Sequence, residues 1–214
     1  MQHIIEYRNG AQLDLNPEIE KDLLQASGYS YGFEFYIRKT AGNPTGWISY
    51  TLSRSMRHTE SSIKEDQINE NSYFPSCFDR PHNLNLVANY YLTRRWHVAG
   101  TFSYCTGRPV TLPESKFQYG EDWLVRYSSR NKYRLPDYHR LDISITLDES
   151  LRIKKKWKGS WTFSIMNVYG RKNAYSSFYE KSDPGFSNKY KKYGLYTFYI
   201  VGRPLPTLTY NFTF

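Results

Sequence analysis

The sequence predicts an all-β fold, an antiparallel up-and-down meander, on three observations. Apolar and polar residues alternate along most of the chain, connections alternate short and long, and no apolar stretch is long enough for a membrane helix. Composition agrees: aromatics make up 18% of 214 residues, with 21 Tyr against 3 Met, and the mean hydropathy is −0.71. Such a chain is rich in strand formers yet too polar for two well-packed layers. The lack of ~18 consecutive apolar residues excludes a helical membrane protein but not a barrel, whose strands hide their hydrophobicity by alternation.

Taken in order, Ile4 to Tyr7 reads as the end of a strand. Tyr29, Tyr31, Phe33, Phe35 and Ile37 alternate with Ser30, Gly32, Glu34 and Arg38. Ile48, Tyr50 and Leu52 then face away from Ser49, Thr51 and Ser53. From Asn83 to Thr93, Leu84, Leu86, Ala88, Tyr90 and Leu92 share one face, with Asn85, Val87 and Asn89 on the other. Trp96, Val98, Phe102 and Tyr104 lie opposite His97, Ala99, Thr101, Ser103 and Cys105. Leu141, Ile143, Ile145 and Leu147 alternate with Asp142, Ser144, Thr146 and Asp148, and Trp161, Phe163 and Ile165 with Ser160, Thr162 and Ser164. The chain ends on Leu208, Tyr210, Phe212 and Phe214 against Thr209, Asn211 and Thr213. Period two of this consistency predicts about seven complete strands, each with one apolar and one polar face.

Connections sort by length. Ala41 to Thr45, Arg94–Arg95 and Glu149 to Lys158 are short, the first a tight turn by its Gly and Pro. Thr59 to Pro81, Val110 to Asp137 and Lys172 to Tyr193 are long and polar. Short turns at one end and long loops at the other are the layout of outer-membrane barrels. Aromatics follow the same division: Trp47, Trp96, Trp157 and Trp161 near the short turns, Tyr104, Tyr138, Tyr169 and Tyr175 toward the long loops. Amphipathic rings favour the two membrane–water interfaces, although the same rings would suit an aromatic sandwich core.

The net charge of +9 invites a nucleic-acid reading. However, the basic residues are spread out, and the tight run Lys154, Lys155, Lys156 and Lys158 falls in a short connection, as a solvated turn would. Cys77 and Cys105 cannot make a disulfide scaffold or a metal cluster. His82 and His139 each lie near an Arg but lack a matched nucleophile or paired carboxylates, and His3, His58 and His97 show no metal spacing. The chain is therefore not expected to be an enzyme, and no cofactor is expected. Met1 to Asn9 lacks the apolar core of a signal peptide. An outer-membrane location then expects export as part of a longer precursor.

Seven segments, in order, resemble the C-terminal barrel region of TonB-dependent outer-membrane receptors of the Bacteroidetes type. They are Gly28-Tyr-Ser-Tyr-Gly-Phe-Glu-Phe35, Gly46-Trp-Ile-Ser-Tyr-Thr-Leu-Ser-Arg54, Asp79-Arg-Pro-His82, Thr106-Gly-Arg-Pro109, Tyr138-His-Arg-Leu-Asp142, Asn167-Val-Tyr-Gly-Arg-Lys-Asn-Ala-Tyr175 and Pro206-Thr-Leu-Thr-Tyr-Asn-Phe-Thr-Phe214. The resemblance covers nearly the whole chain. It implies that residues 1–214 are the C-terminal part of a transmembrane β-barrel of about 22 strands, with the plug domain and energy-coupling segment absent. Both barrel ends then face the periplasm, and counting back from Phe214 puts every long connection outside and every short one inside. It further implies that Tyr210, Phe212 and Phe214 resemble the signal read by the barrel-assembly machinery. Cys77 departs from the pattern, standing where a small non-cysteine residue is expected.

The resemblance implies part of a receptor that takes up a scarce nutrient, such as a glycan, an iron chelate or a cobalamin-like cofactor, with energy from TonB through the missing part. Glu34, Arg38, Asp142 and Asp148 fall on the polar face and are candidates to line the lumen, or simply to be solvated or paired across strands. Tyr119, Trp123, Tyr127 and Tyr133 are candidate extracellular-loop aromatics that could stack on sugars or pack together. Two other readings stand beside this one: a soluble basic β-sheet module gripping single-stranded nucleic acid through its tyrosines, and an inactive truncated fragment. The leading expectation has outer-membrane lipid as a partner and no nucleic acid.

Overall fold

The computed structural model describes residues 3–9, 19–120, 122–149, 158–182 and 192–213, with backbone alone at 122–123, 179–182 and 192–195. Its strands are β1 (Ile4–Tyr7), β2 (Leu23–Lys39), β3 (Thr45–Thr59), β4 (Phe74–Pro75), β5 (His82–Tyr91), β6 (Trp96–Cys105), β7 (Pro109–Val110) and β8 (Pro113–Tyr119). They continue with β9 (Asp122–Tyr127), β10 (Tyr133–Arg134), β11 (Tyr138–Asp148), β12 (Lys158–Met166), β13 (Ala174–Ser182), β14 (Lys192–Tyr199) and β15 (Leu205–Thr213). The described residues contain no α-helix.

The main sheet runs β1-β2-β3-β5-β6-β11-β12-β15, all antiparallel, with β4 added to β3. This is the expected all-β meander, including Ile4–Tyr7 as a short extra strand on β2. It is an open sheet: β1 and β15 form its edges, and no ladder joins them among the described residues.

Register turns the alternation of single strands into two continuous faces. Ile37 lies opposite Ile48, Ile48 opposite Leu86, Leu86 opposite Phe102 and Phe102 opposite Leu141. A second row joins Tyr90, Val98, Ile145, Phe163 and Leu208. On the other face one row joins Tyr36, Ser49, Asn85, Ser103 and Arg140, and another Tyr91, His97, Thr146, Thr162 and Thr209. A slip of one residue anywhere would mix the faces, so cross-strand burial and side-chain pairing hold the register. Thr146 and Thr162 share a hydroxyl hydrogen bond of 3.0 Å, and Ser164 and Thr207 one of 2.6 Å.

Burial runs opposite to that of a soluble sheet. In the middle strands Thr146 on the polar face is only 9% exposed, whereas Ile143 and Phe163 on the apolar face are 39% and 43% exposed. Among the described residues no element packs over the apolar face. A small core sits instead at the long-loop end, where Ile68, Phe74 and Leu135 are buried beside Thr59, Ser76 and Asp79.

The structure corrects three expectations. The long connections are not plain loops: β7 pairs with β10, β8 with β9 and β13 with β14 inside them. Their Gly, Pro and charge content hid these hairpins, because short ladders need little periodicity. Trp47 and Tyr138 lie in register with polar-face residues, Arg38 and Cys105 respectively, so they do not join an aromatic belt on the apolar face. Finally, the strands run longer than the alternation suggested, β2 over 17 residues and β3 over 15. The run Lys154 to Trp157 and the terminal Phe214 lie outside the described residues.

Candidate functional site

Four of the motif segments converge at the long-loop end of the main sheet. Asp79, fully buried, is their anchor. Its carboxylate accepts from the Ser55 backbone N–H at 2.7 Å, pairs with Arg54 at 3.6 Å, and makes a close ion pair with Arg134. Arg134 also donates to the Asp79 carbonyl at 2.7 Å and the Gly107 carbonyl at 3.0 Å. Gly107 must be glycine, because a Cβ there would collide with the Leu135 carbonyl oxygen.

Asp137 receives the Gly107 N–H at 2.9 Å and the Tyr104 hydroxyl at 2.7 Å. These two bonds, in that order, hold its carboxyl below the usual carboxylate range, helped by the nearby Arg171 and Arg134. Asp142, a sequence-chosen residue, accepts from the Asn167 backbone N–H at 2.8 Å and pairs with Arg140 at 2.9 Å. The fully buried Asn167 then closes its own turn: it donates to the Arg171 carbonyl at 2.9 Å and accepts the Arg171 N–H at 3.1 Å. Asn173 does the same for His139, accepting its N–H at 3.1 Å and donating to its carbonyl at 2.9 Å.

These contacts surround a cleft of ≈ 370 Å³ lined by Arg80, Cys105, Thr106, Gly107, Arg108, Leu135, Pro136, Tyr138, Arg140, Asn173, Ala174, Tyr175, Ile200 and Val201. A volume of this order suits a small ligand. The sequence did not single out this arginine cluster, because its three members lie in segments far apart in the chain. A usable signal was present: Arg80, Arg108 and Arg140 each stand within a few residues of the same end of a main-sheet strand.

The other expected residues are dispersed. Glu34, Arg38 and Asp148 lie on the polar face opposite Thr51, Trp47 and Ser160, in different rows from one another, so they do not form one site with Asp142. Arg38 and Asp142 do share a row, through Trp47, Val87 and Thr101. Tyr119 ends β8, Tyr127 ends β9 and Tyr133 begins β10; among the described residues none of these three rings stacks on another. Tyr133 donates to Glu114 at 2.8 Å, and Trp123 has its side chain outside the described residues.

At the short-turn end Tyr210 lies tilted against Trp161 at 4.6 Å and stacks on Phe212 at 6.2 Å. Glu149 receives the Trp161 indole N–H at 3.1 Å and the Tyr210 hydroxyl at 3.3 Å. His82 and His139 share hydrogen bonds with Tyr50 at 2.8 Å and Tyr169 at 2.7 Å. Among the described residues no three His, Cys, Asp or Glu side chains are grouped to hold a metal ion. Cys77 is exposed and Cys105 buried, and both are free. No family model, curated protein or solved structure matches the chain.

Proposed function

We propose that this chain is a lipid-facing portion of an outer-membrane barrel wall, belonging to a receptor of the TonB-dependent type that admits a nutrient through a larger barrel. The observation that carries this is the burial of the middle strands: Thr146 on the polar face is 9% exposed, while Ile48 and Ile143 are 39% exposed and Phe163 43% on the apolar face. In water such a face would drive aggregation; in hydrocarbon it is what a spanning strand presents. The alternation of three short with three long connections supports the same reading. Glu34, Arg38, Asp142 and Asp148 would then face a wet lumen, and Trp161, Tyr210 and Phe212 the periplasmic interface. The ordered resemblance of the seven motif segments adds the receptor type.

A nucleic-acid module is less well supported. The rows Ile37–Ile48–Leu86–Phe102–Leu141 and Tyr90–Val98–Ile145–Phe163–Leu208 carry no cation, whereas a strand-gripping surface interleaves its stacking rings with charge. The test is refolding into lipid vesicles containing brominated acyl chains. Quenching of Trp161 fluorescence, with no salt-sensitive binding of oligonucleotides, is the expected result. Unquenched tryptophans and tight oligonucleotide binding would reverse the choice.

A further inference from the structure

We infer that the arginine-lined cleft between the β5, β6 and β11 ends and the β13–β14 hairpin is a binding site for a small oxyanion-bearing ligand, one carrying carboxylate or phosphate groups. Its wall, among the described residues, contains three arginines and no carboxylate, lysine or histidine. Arg140 is neutralised by Asp142 at 2.9 Å. Among the described residues no acidic group balances the other two. Arg108 donates one Nη2 bond, at 3.0 Å, to the Tyr175 carbonyl, while its Nε–H is buried and has no acceptor among the described residues. Arg80 has one polar contact, 3.2 Å from the Cys105 sulfur, which is a weak acceptor.

A buried guanidinium N–H without an acceptor is costly, and a planar fork binds carboxylate or phosphate through paired hydrogen bonds. Arg108 is such a group, and the exposed Arg80 beside it holds only a weak sulfur acceptor, so the pair favours an anion over a neutral solute. Tyr138 and Tyr175 on the same wall offer apolar faces for the rest of the ligand. The inference does not depend on the membrane reading, since the cleft would bind an anion whether or not the opposite face meets lipid.

The experiment is titration calorimetry on the full chain refolded in detergent, its strand content checked by circular dichroism, using citrate, inorganic phosphate and maltose as probes. The expected result is binding of citrate or phosphate and none of maltose; whichever anion binds more tightly names the preferred group. Arg108→Gln and Arg80→Gln should each weaken binding at least about tenfold, the scale of one lost charged hydrogen bond. Arg108→Lys should fall between wild type and Arg108→Gln. Lys132→Gln, which removes the same charge away from the cleft, should leave binding unchanged. Equal losses in Lys132→Gln and Arg108→Gln would reduce the effect to the chain's net charge and overturn the site. So would a folded wild type that binds neither anion, or binds maltose equally. Vesicle insertion is read separately, so either reading can fail without the other.

Discussion

Asn43, Asn69, Asn167 and Asn173 each use the side-chain amide as a surrogate peptide group. Each accepts a backbone N–H and donates to the carbonyl of the same residue: Tyr91, Arg130, Arg171 and His139 respectively. Asn167 adds a positive φ of 55°, which asparagine tolerates better than most residues. Asn167→Gly should keep the backbone but lose both bonds, at a cost of about 1–3 kcal/mol. Asn167→Ala should cost about 1 kcal/mol more, through left-handed strain. Urea unfolding in detergent measures both, and equal costs would remove the backbone part of the argument. Asp137 makes a pH-dependent contribution at the same end. Its folded pKa is depressed, first by the Gly107 N–H and then by the Tyr104 hydroxyl, so its stabilisation is complete above the unfolded carboxylate pKa of about 3.9. It is lost as pH falls through the lower folded value. Hydrogen-exchange protection of the Gly107 amide should therefore be constant from pH 5 to 8, taken as about that range for ionised carboxylates, and fall in stronger acid. Asp137→Asn should abolish that pH dependence; persistence of it would point to another carboxylate.

At the level of a strand, faces decide tolerance. Ile145 lies in the apolar row with Val98 and Phe163, while Ser144 lies across the pleat between Ala99 and Ser164. On the proposed membrane reading Ile145→Lys should cost roughly 2–4 kcal/mol in lipid vesicles, and Ser144→Lys far less. Equal costs in reversible refolding would count against lipid on the Ile145 face. The faces of β2, β3, β5, β6, β11, β12 and β15 were readable from sequence, because a strand's side chains must alternate and each residue type shows which side it prefers. The paired strands β8 and β9, and β13 and β14, were not. Ala174 to Ser182 and Lys192 to Tyr199 mix rings with Lys, Ser and Glu on both faces, so nothing in their pattern separates a hairpin from a polar loop.

For the whole molecule, the open sheet sets the behaviour in solution. β15 pairs with β12 along Leu205–Thr213, and no described strand pairs with its other side. Unpaired backbone groups cost several kcal/mol each in hydrocarbon and recruit other chains in water. On the proposed barrel reading, the chain expressed alone behind a signal peptide is expected to aggregate or be degraded unless further strands are supplied. A heat-modifiable, protease-resistant monomer in the outer membrane would show that the edges close without help. Alternation and connection length, both local properties, were enough to place the long strands of the main sheet, their order and which face is apolar. Three things needed the tertiary structure: the inversion of burial between the faces, the hairpins within the long connections, and the meeting of Arg80, Arg108 and Arg140 on one cleft. The reason is physical. A strand's period is written in adjacent residues, but a cleft is made by residues dozens of positions apart, brought together by hydrogen bonds such as those of Asp79, Asp137, Asn167 and Asn173, whose partners no sequence spacing reveals.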